Sequence, residues 1–254
     1  MRINILNMQK YADYIKKVEI ESLWSGKKHI VWDLDPRVNI LSGINGVGKS
    51  TILNKVVRSM NGNGDIINHL LKGVHITLSP EDATHVRFDI IRSLDSPVLD
   101  LSTMSHIDSR ITSALDFQLY HLQRKYLDYQ VNIGNRIIEL LTSGDQQGAA
   151  EVSAPKKQFQ DMIDKLFADT HKKIDRKSNE IQFIQGGQEV ITPYQLSSGE
   201  KQMLAILMTV LVENREPYAL LMDEPEISLH IDWQQRLIDL NGADKDLYDD
   251  PNFD

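Results

Sequence analysis

Gly43-Ile44-Asn45-Gly46-Val47-Gly48-Lys49-Ser50 is the stretch of this chain best suited to grip an anion. Glycines at 43, 46 and 48 let backbone N–H groups converge on phosphate oxygens with no Cβ in the way. A helix starting at Lys49 adds the positive end of its dipole. The spelling fits G-x-x-x-x-G-K-[ST], with an apolar run before it and a helical pattern after it, as such a loop requires. Lys49 then neutralises charge on the β- and γ-phosphates, and the Ser50 hydroxyl is a hard oxygen ligand for Mg²⁺. Gly43, Asn45, Gly46, Gly48, Lys49, Ser50 and Thr51 are the candidate ATP-binding residues. Far along the chain, Asp223-Glu224 closes the apolar run Tyr218-Ala219-Leu220-Leu221-Met222. One carboxylate there holds the metal and its water shell, and a second beside the γ-phosphate polarises the attacking water. Asp223 is assigned to the metal with Ser50, and Glu224 to the general base.

Between the two lies Leu196-Ser197-Ser198-Gly199-Glu200. On residue type alone, a serine followed by Glu200 is a sound start for any helix. Together with Asp223-Glu224-Pro225, however, it resembles the L-S-G-G-Q signature of ABC-type P-loop ATPases, with Ser198 for the first glycine and Glu200 for the glutamine. The resemblance implies that Ser197, Ser198, Gly199 and Glu200 face ATP held by another subunit, with Ser197 and Gly199 capping its γ-phosphate. It covers roughly residues 15–60 and 180–240. The continuation Glu226-Ile227-Ser228-Leu229-His230 resembles the soluble OLD, RecF and SMC-like ATPases, many of which serve in DNA repair or anti-phage defence. That family normally continues to a switch histidine in text like Thr-His-Ser, which does not follow Leu237-Ile238-Asp239-Leu240 here. His230 reads instead as a surface or subunit-contact residue. Gln118 and Gln123 are the only guesses at the glutamine that joins the two lobes, and Trp24 and Trp32 suit core or interface packing better than stacking on adenine.

The elements that must position these residues follow from hydrophobic period. Residues 15–23 and 28–34 alternate as half-buried strands, and Val38-Asn39-Ile40-Leu41 reads as a short buried strand leading into the loop. A helix from Lys49 to Met60 places Ile52, Leu53, Val56 and Val57 on one face and ends at Asn61-Gly62-Asn63-Gly64. Val74–Leu78 and Val86–Ile91 are further strands. From about Thr103 the period becomes helical, through Ile111, Leu115, Leu119, Leu122, Tyr126 and Tyr129 to Leu141. Residues 142–155, with two glycines and Pro155, read as a flexible loop before a second helix from Lys156 to Arg176. The two helices either fold back as an arm or pack as a helical subdomain. Gly186-Gly187 marks a hairpin between residues 181–184 and 189–191. The helix after Glu200 carries an apolar face of Leu204, Leu207, Met208 and Leu211, and residues 218–222 read as a central parallel strand.

Composition bounds the rest. The 254 residues hold no cysteine, which excludes disulfides and thiolate metal sites. No run approaches the ~18 apolar residues of a membrane span, and the amino terminus lacks the look of a signal peptide, so a cytoplasmic protein without direct membrane contact is expected. The net charge of −8 argues against a surface that binds nucleic acid throughout, although residues 239–254 concentrate six aspartates against Lys245. The expected fold is α/β: a P-loop ATPase head with a mostly parallel central sheet and an antiparallel N-terminal portion (residues 1–100 and 181–240), a helical insertion or arm (101–180) and an acidic tail (241–254). The expected function is ATP- and Mg²⁺-dependent head-to-head association into a homodimer or higher even-numbered assembly, controlling an effector protein. Nucleic acid stays open as a further partner. A binding-only ATP clamp and the nucleotide-binding subunit of a transporter are the rival readings.

Overall fold

The computed structural model describes residues 9–60 apart from Ser25 and Lys27, 73–91, 109–226 apart from Arg215, and Leu229 and Trp233. The Asn61–Gly64 cluster, His230, residues 237–240 and the acidic tail lie outside the described residues. The chain divides into two compact units, one of residues 1–90 with 216–223, the other of residues 91–215 with 224–254.

In the first unit, β1 (Tyr14–Leu23) lies between β2 (Lys28–Asp33) and β3 (Val74–Ser79), antiparallel to both. Alternation puts Val18 and Ile20 of β1 and Val74, Ile76 and Leu78 of β3 into one core. Register is fixed by Val18 opposite Trp32 and Ile76, and by Ile20 opposite Ile30 and Val74. Helix α1 (Lys49–Ser59) adds Ile52 and Val56 to this core, as its period requires. β4 (Phe88–Ile91) pairs with β8 (Ala219–Met222), whose Ala219 and Leu221 pack on the same core. All four residues of β8 are half-buried, so the carboxylate strand is not the fully covered central strand that its apolar run implies. Val38–Leu41 is a second correction. It forms no ladder among the described residues, and Ile40 is 66% exposed. Local bonds take over there: Asn39 Oδ1 accepts from the Asp35 N–H and Asn39 Nδ2 donates to the Asp35 carbonyl, closing a turn in place of a strand.

The second unit is built on helices. α2 (Ala114–Thr142) starts at Ser113, whose hydroxyl accepts from the Asp116 N–H, and buries Leu115, Leu119, Leu122, Tyr126 and Tyr129. Its later turns expose Val131, Ile138 and Leu141. α3 (Gln146–Leu166) returns after a three-residue turn, Ser143-Gly144-Asp145, and packs on α2, so the two helices do fold back on each other. Residues 146–155 are therefore helix and not flexible loop. Asp145 caps the Gly148 N–H at 2.8 Å, and Ala149 is buried. Pro155 gives up only its bond to the carbonyl of Glu151, an exposed residue. α3 also ends before Arg176, the expected end. Phe167 leaves the helix, His171 turns the chain at φ 54°, and residues 172–174 form β5 (Lys172–Ile174). β5 pairs with β6 (Phe183–Gln185), and β6 with β7 (Glu189–Ile191), both antiparallel. The β6–β7 turn carries Gly186 and Gly187 at φ 58° and 82°, which glycine adopts without strain. α4 (Ser198–Val212) buries ten of its residues, well beyond one apolar face, and so is covered on nearly every side. Gln123 of α2 is buried too. It donates to the Ile181 carbonyl and accepts from the Ile181 N–H, both at 2.9 Å, pairing that backbone as a strand would.

Candidate functional site

The phosphate loop sits in the first unit, ahead of α1. Gly46 and Gly48 have φ of 80° and 98°. Gly48 is irreplaceable on two counts, since a Cβ there would be strained and would collide with the Trp24 indole. No side chain caps α1 and no acidic residue lies in its first turn, so its leading N–H groups are left for an anion. Lys49 is half-buried and folded back over the loop, donating to the Gly43 carbonyl at 2.8 Å and the Ile44 carbonyl at 3.4 Å. Gly43, Asn45, Gly46 and Thr51 are exposed, while Ser50 is half-buried.

The Ser50 hydroxyl donates to Asp223 Oδ1 at 2.9 Å across 173 residues of sequence. One hydroxyl and one carboxylate in contact at the foot of an anion loop form a hard-oxygen pair that fits Mg²⁺ and its preference for carboxylate, hydroxyl and water. When bound, that ion supplies charge neutralisation to the phosphate oxygens. Glu224, next in the chain, is half-buried with φ 50°, a left-handed conformation costly for a residue with a Cβ. Trp24 is 41% exposed, carries the Lys28 ammonium 5.3 Å from its ring centroid, and lies against Gly48, so it lines the loop and is no core residue. Trp32 is half-buried in β2. Gln123 is committed to Ile181, which removes it as the lobe-joining glutamine.

In the second unit, Ser197 is the N-cap of α4. Its hydroxyl accepts from the Glu200 N–H at 3.3 Å, and Glu200 Oε2 accepts from the Ser197 N–H at 2.9 Å, a reciprocal capping box. Ser197 and Ser198 are exposed and Gly199 half-buried, so these three present an open helix start. Glu200 does not. It is 2% exposed and turned inward, accepting from Lys172 Nζ at 2.8 Å and from the Thr170 hydroxyl at 2.7 Å. Burial by itself raises the Glu200 carboxyl, but the Lys172, Thr170 and Ser197 hydrogen bonds outweigh it and hold it below its ordinary value. The adjacent Lys201 pairs with Asp116 at 2.8 Å. Asp116 is lowered likewise: burial opposes, and Lys201, Thr112 and Ser113 prevail. Lys172, Asp116 and Lys201 gave no signal as site residues in the sequence.

A family model described as "AAA domain, putative AbiEii toxin, Type IV TA system" matches residues 70–241. The match takes in α4 and β8 and begins after the Gly43–Thr51 loop. No curated protein matches the chain. Among solved structures, the Smc head domain with an extended coiled coil bound to the C-terminal domain of ScpA, from Pyrococcus furiosus, is similar at 14% identity and a TM-score of 0.45, over 89% of this chain and 86% of that one. Because the family model spans well over half of the residues, the chain belongs to this AAA-domain family.

Proposed function

We propose that this chain binds Mg²⁺-ATP in the Gly43–Thr51 loop, closes on a second copy of itself around the nucleotide, and reopens on hydrolysis. The observation that carries the reading is the 2.9 Å bond between Ser50 and Asp223, which joins the two halves of a metal–phosphate site from opposite ends of the sequence. Lys49 exchanges its loop carbonyls for phosphate oxygens. Glu224 accepts a proton from the attacking water. Ser197, Ser198 and Gly199 of each copy, open at the start of α4, offer N–H and hydroxyl donors to the γ-phosphate held by the other. The arrangement is isologous, with two nucleotides shared across one two-fold axis. ATP acts as glue, and its loss releases the pair. The family description, with its toxin of a toxin–antitoxin system, supports an effector role in bacterial defence gated by this cycle, with an effector or antagonist protein as partner.

Nucleotide binding is tested first. A Lys49→Ala variant is expected to weaken binding of a fluorescent ATP analogue by about 100-fold or more, since a charge-assisted contact to a multiply charged phosphate is lost. Its melting temperature should stay near that of the parent. Binding that survives the substitution removes the central claim.

A further inference from the structure

Two consecutive residues in the first turn of α4 carry opposite charges into the interior, and each finds its partner on a different segment, one after α3 and the other at the start of α2. Glu200 reaches Lys172, at the start of β5, and Thr170, in the turn that leaves α3. Lys201 reaches Asp116, in the first turn of α2, whose other oxygen accepts from the Thr112 N–H and hydroxyl at 3.1 and 3.0 Å. The side chains are almost fully withdrawn from solvent: Lys172 and Glu200 are 11% and 3% exposed, Lys201 and Asp116 15% and 1%.

Such pairs are poor devices for stability. Taking two charges out of water costs several kcal/mol per ion, and apolar replacements of similar shape are often as stable. α4 does not need them to stay in place, because nine of its buried residues, from Gln202 to Leu211, already hold it. What the pairs add is direction. Hydrophobic contact tolerates small rotations and slides of a helix, whereas two close ion pairs leaving one turn on successive residues restrain both its rotation and its height. Ser197, Ser198 and Gly199 belong to that same turn.

We infer that Lys172 and Asp116 are positioning residues, which through Glu200 and Lys201 orient Ser197 and Gly199 toward the nucleotide of a second copy. Glu200 is thus the anchor of the signature turn and makes no contact with ATP. The inference rests on the two-copy reading given above.

The test uses the full chain in a Glu224→Gln background and compares Lys172→Met, Lys172→Arg and Asp116→Asn. Three quantities are read for each: ATP-analogue affinity of the monomer, the Mg²⁺-ATP concentration that half-saturates assembly by light scattering, and the melting temperature without nucleotide. Lys172→Met and Asp116→Asn should raise the assembly concentration by about tenfold or more while monomer affinity stays within about twofold. Lys172→Arg, which keeps the charge, should recover most of the loss. Assembly at the parental concentration in both Lys172→Met and Asp116→Asn overturns the inference. So does a loss of monomer affinity in step with assembly, which would make the pairs merely structural. If Lys172→Met does not fold, the near-isosteric Asp116→Asn decides by the same criteria. A parent that never assembles with Mg²⁺-ATP overturns the two-copy reading itself, and the positioning role with it.

Discussion

At the scale of single residues, the site depends on oxygen and nitrogen atoms that already have partners before nucleotide arrives. Lys49 Nζ is satisfied by the Gly43 and Ile44 carbonyls, and Ser50 by Asp223. These bonds hold the loop's shape, and on the proposed function phosphate and metal would take them over, which lowers the cost of ordering the loop on binding. Asp223 and Glu224 are adjacent yet differently placed: one accepts from Ser50, the other sits at φ 50°. Their roles should separate experimentally. Glu224→Gln is expected to lower turnover by about 10²–10⁴-fold, the usual worth of a positioned general base, with ATP binding intact. Asp223→Ala should instead raise the Mg²⁺ concentration needed for binding. Phosphate release together with a Mg²⁺ titration checks both, and identical behaviour of the two variants would refute the division.

At the scale of elements, the start of α4 is governed by charge. Glu200 and Asp116 are both held below their ordinary values by their lysine and hydroxyl partners. A carboxyl lowered in the folded state stabilises fully above its unfolded pKa, about 4 for Asp and Glu. That contribution is lost as pH falls through the lowered folded value. The second unit is therefore expected to lose melting temperature in acid, below pH ~4, with little change between pH ~5 and ~8 from these groups. Asp116→Asn removes one of the two titrations and should flatten the acid limb, at the expense of a lower plateau at neutral pH. Differential scanning fluorimetry between pH 2 and 7 reads both. An acid limb as steep in Asp116→Asn as in the parent would show that the destabilisation arises elsewhere.

At the scale of the whole molecule, the question is what the charge and the open helix start are for. Ser197 both caps α4 and faces solvent, so an assembly variant must keep the cap. Ser197→Asp does so, because aspartate is an equally good N-cap. It also sets a negative charge where the other copy's γ-phosphate is expected. It should abolish ATP-dependent assembly of the Glu224→Gln protein in light scattering while leaving monomer binding and melting temperature near parental. Assembly unaffected by this change would place the contact elsewhere. Residues 155–180 hold seven lysines and arginines against five acidic residues, but this run offers less to nucleic acid than its count implies. Arg176 is bonded to Asp161 and Asp164, Lys172 to Glu200, and Lys156 to Gln130. Duplex DNA is accordingly expected to show no retention even at low salt. Binding that falls steeply with salt would reveal a phosphate track that these pairs do not account for.

What the sequence determined by itself is whatever depends on neighbours in the chain. The glycine-rich loop ahead of α1, the Ser197 helix start and the Gly186-Gly187 turn each form from contiguous residues whose spacing states their local geometry. Where spacing failed, a distant or unexpected partner was responsible. Gly148 and Pro155 read as helix breakers, but the Asp145 cap and burial of Ala149 carry α3 through them. Val38–Leu41 read as a strand, yet Asp35 and Asn39 close a turn there first. Only the tertiary structure decided that Ser50 meets Asp223, that Gln123 serves Ile181, and that Glu200 turns away from the open face of its own turn toward Lys172. The reason is physical. A charge or an amide gains little from a partner in water, so its choice is made only when folding removes the water, and no local pattern records which groups will then be within reach.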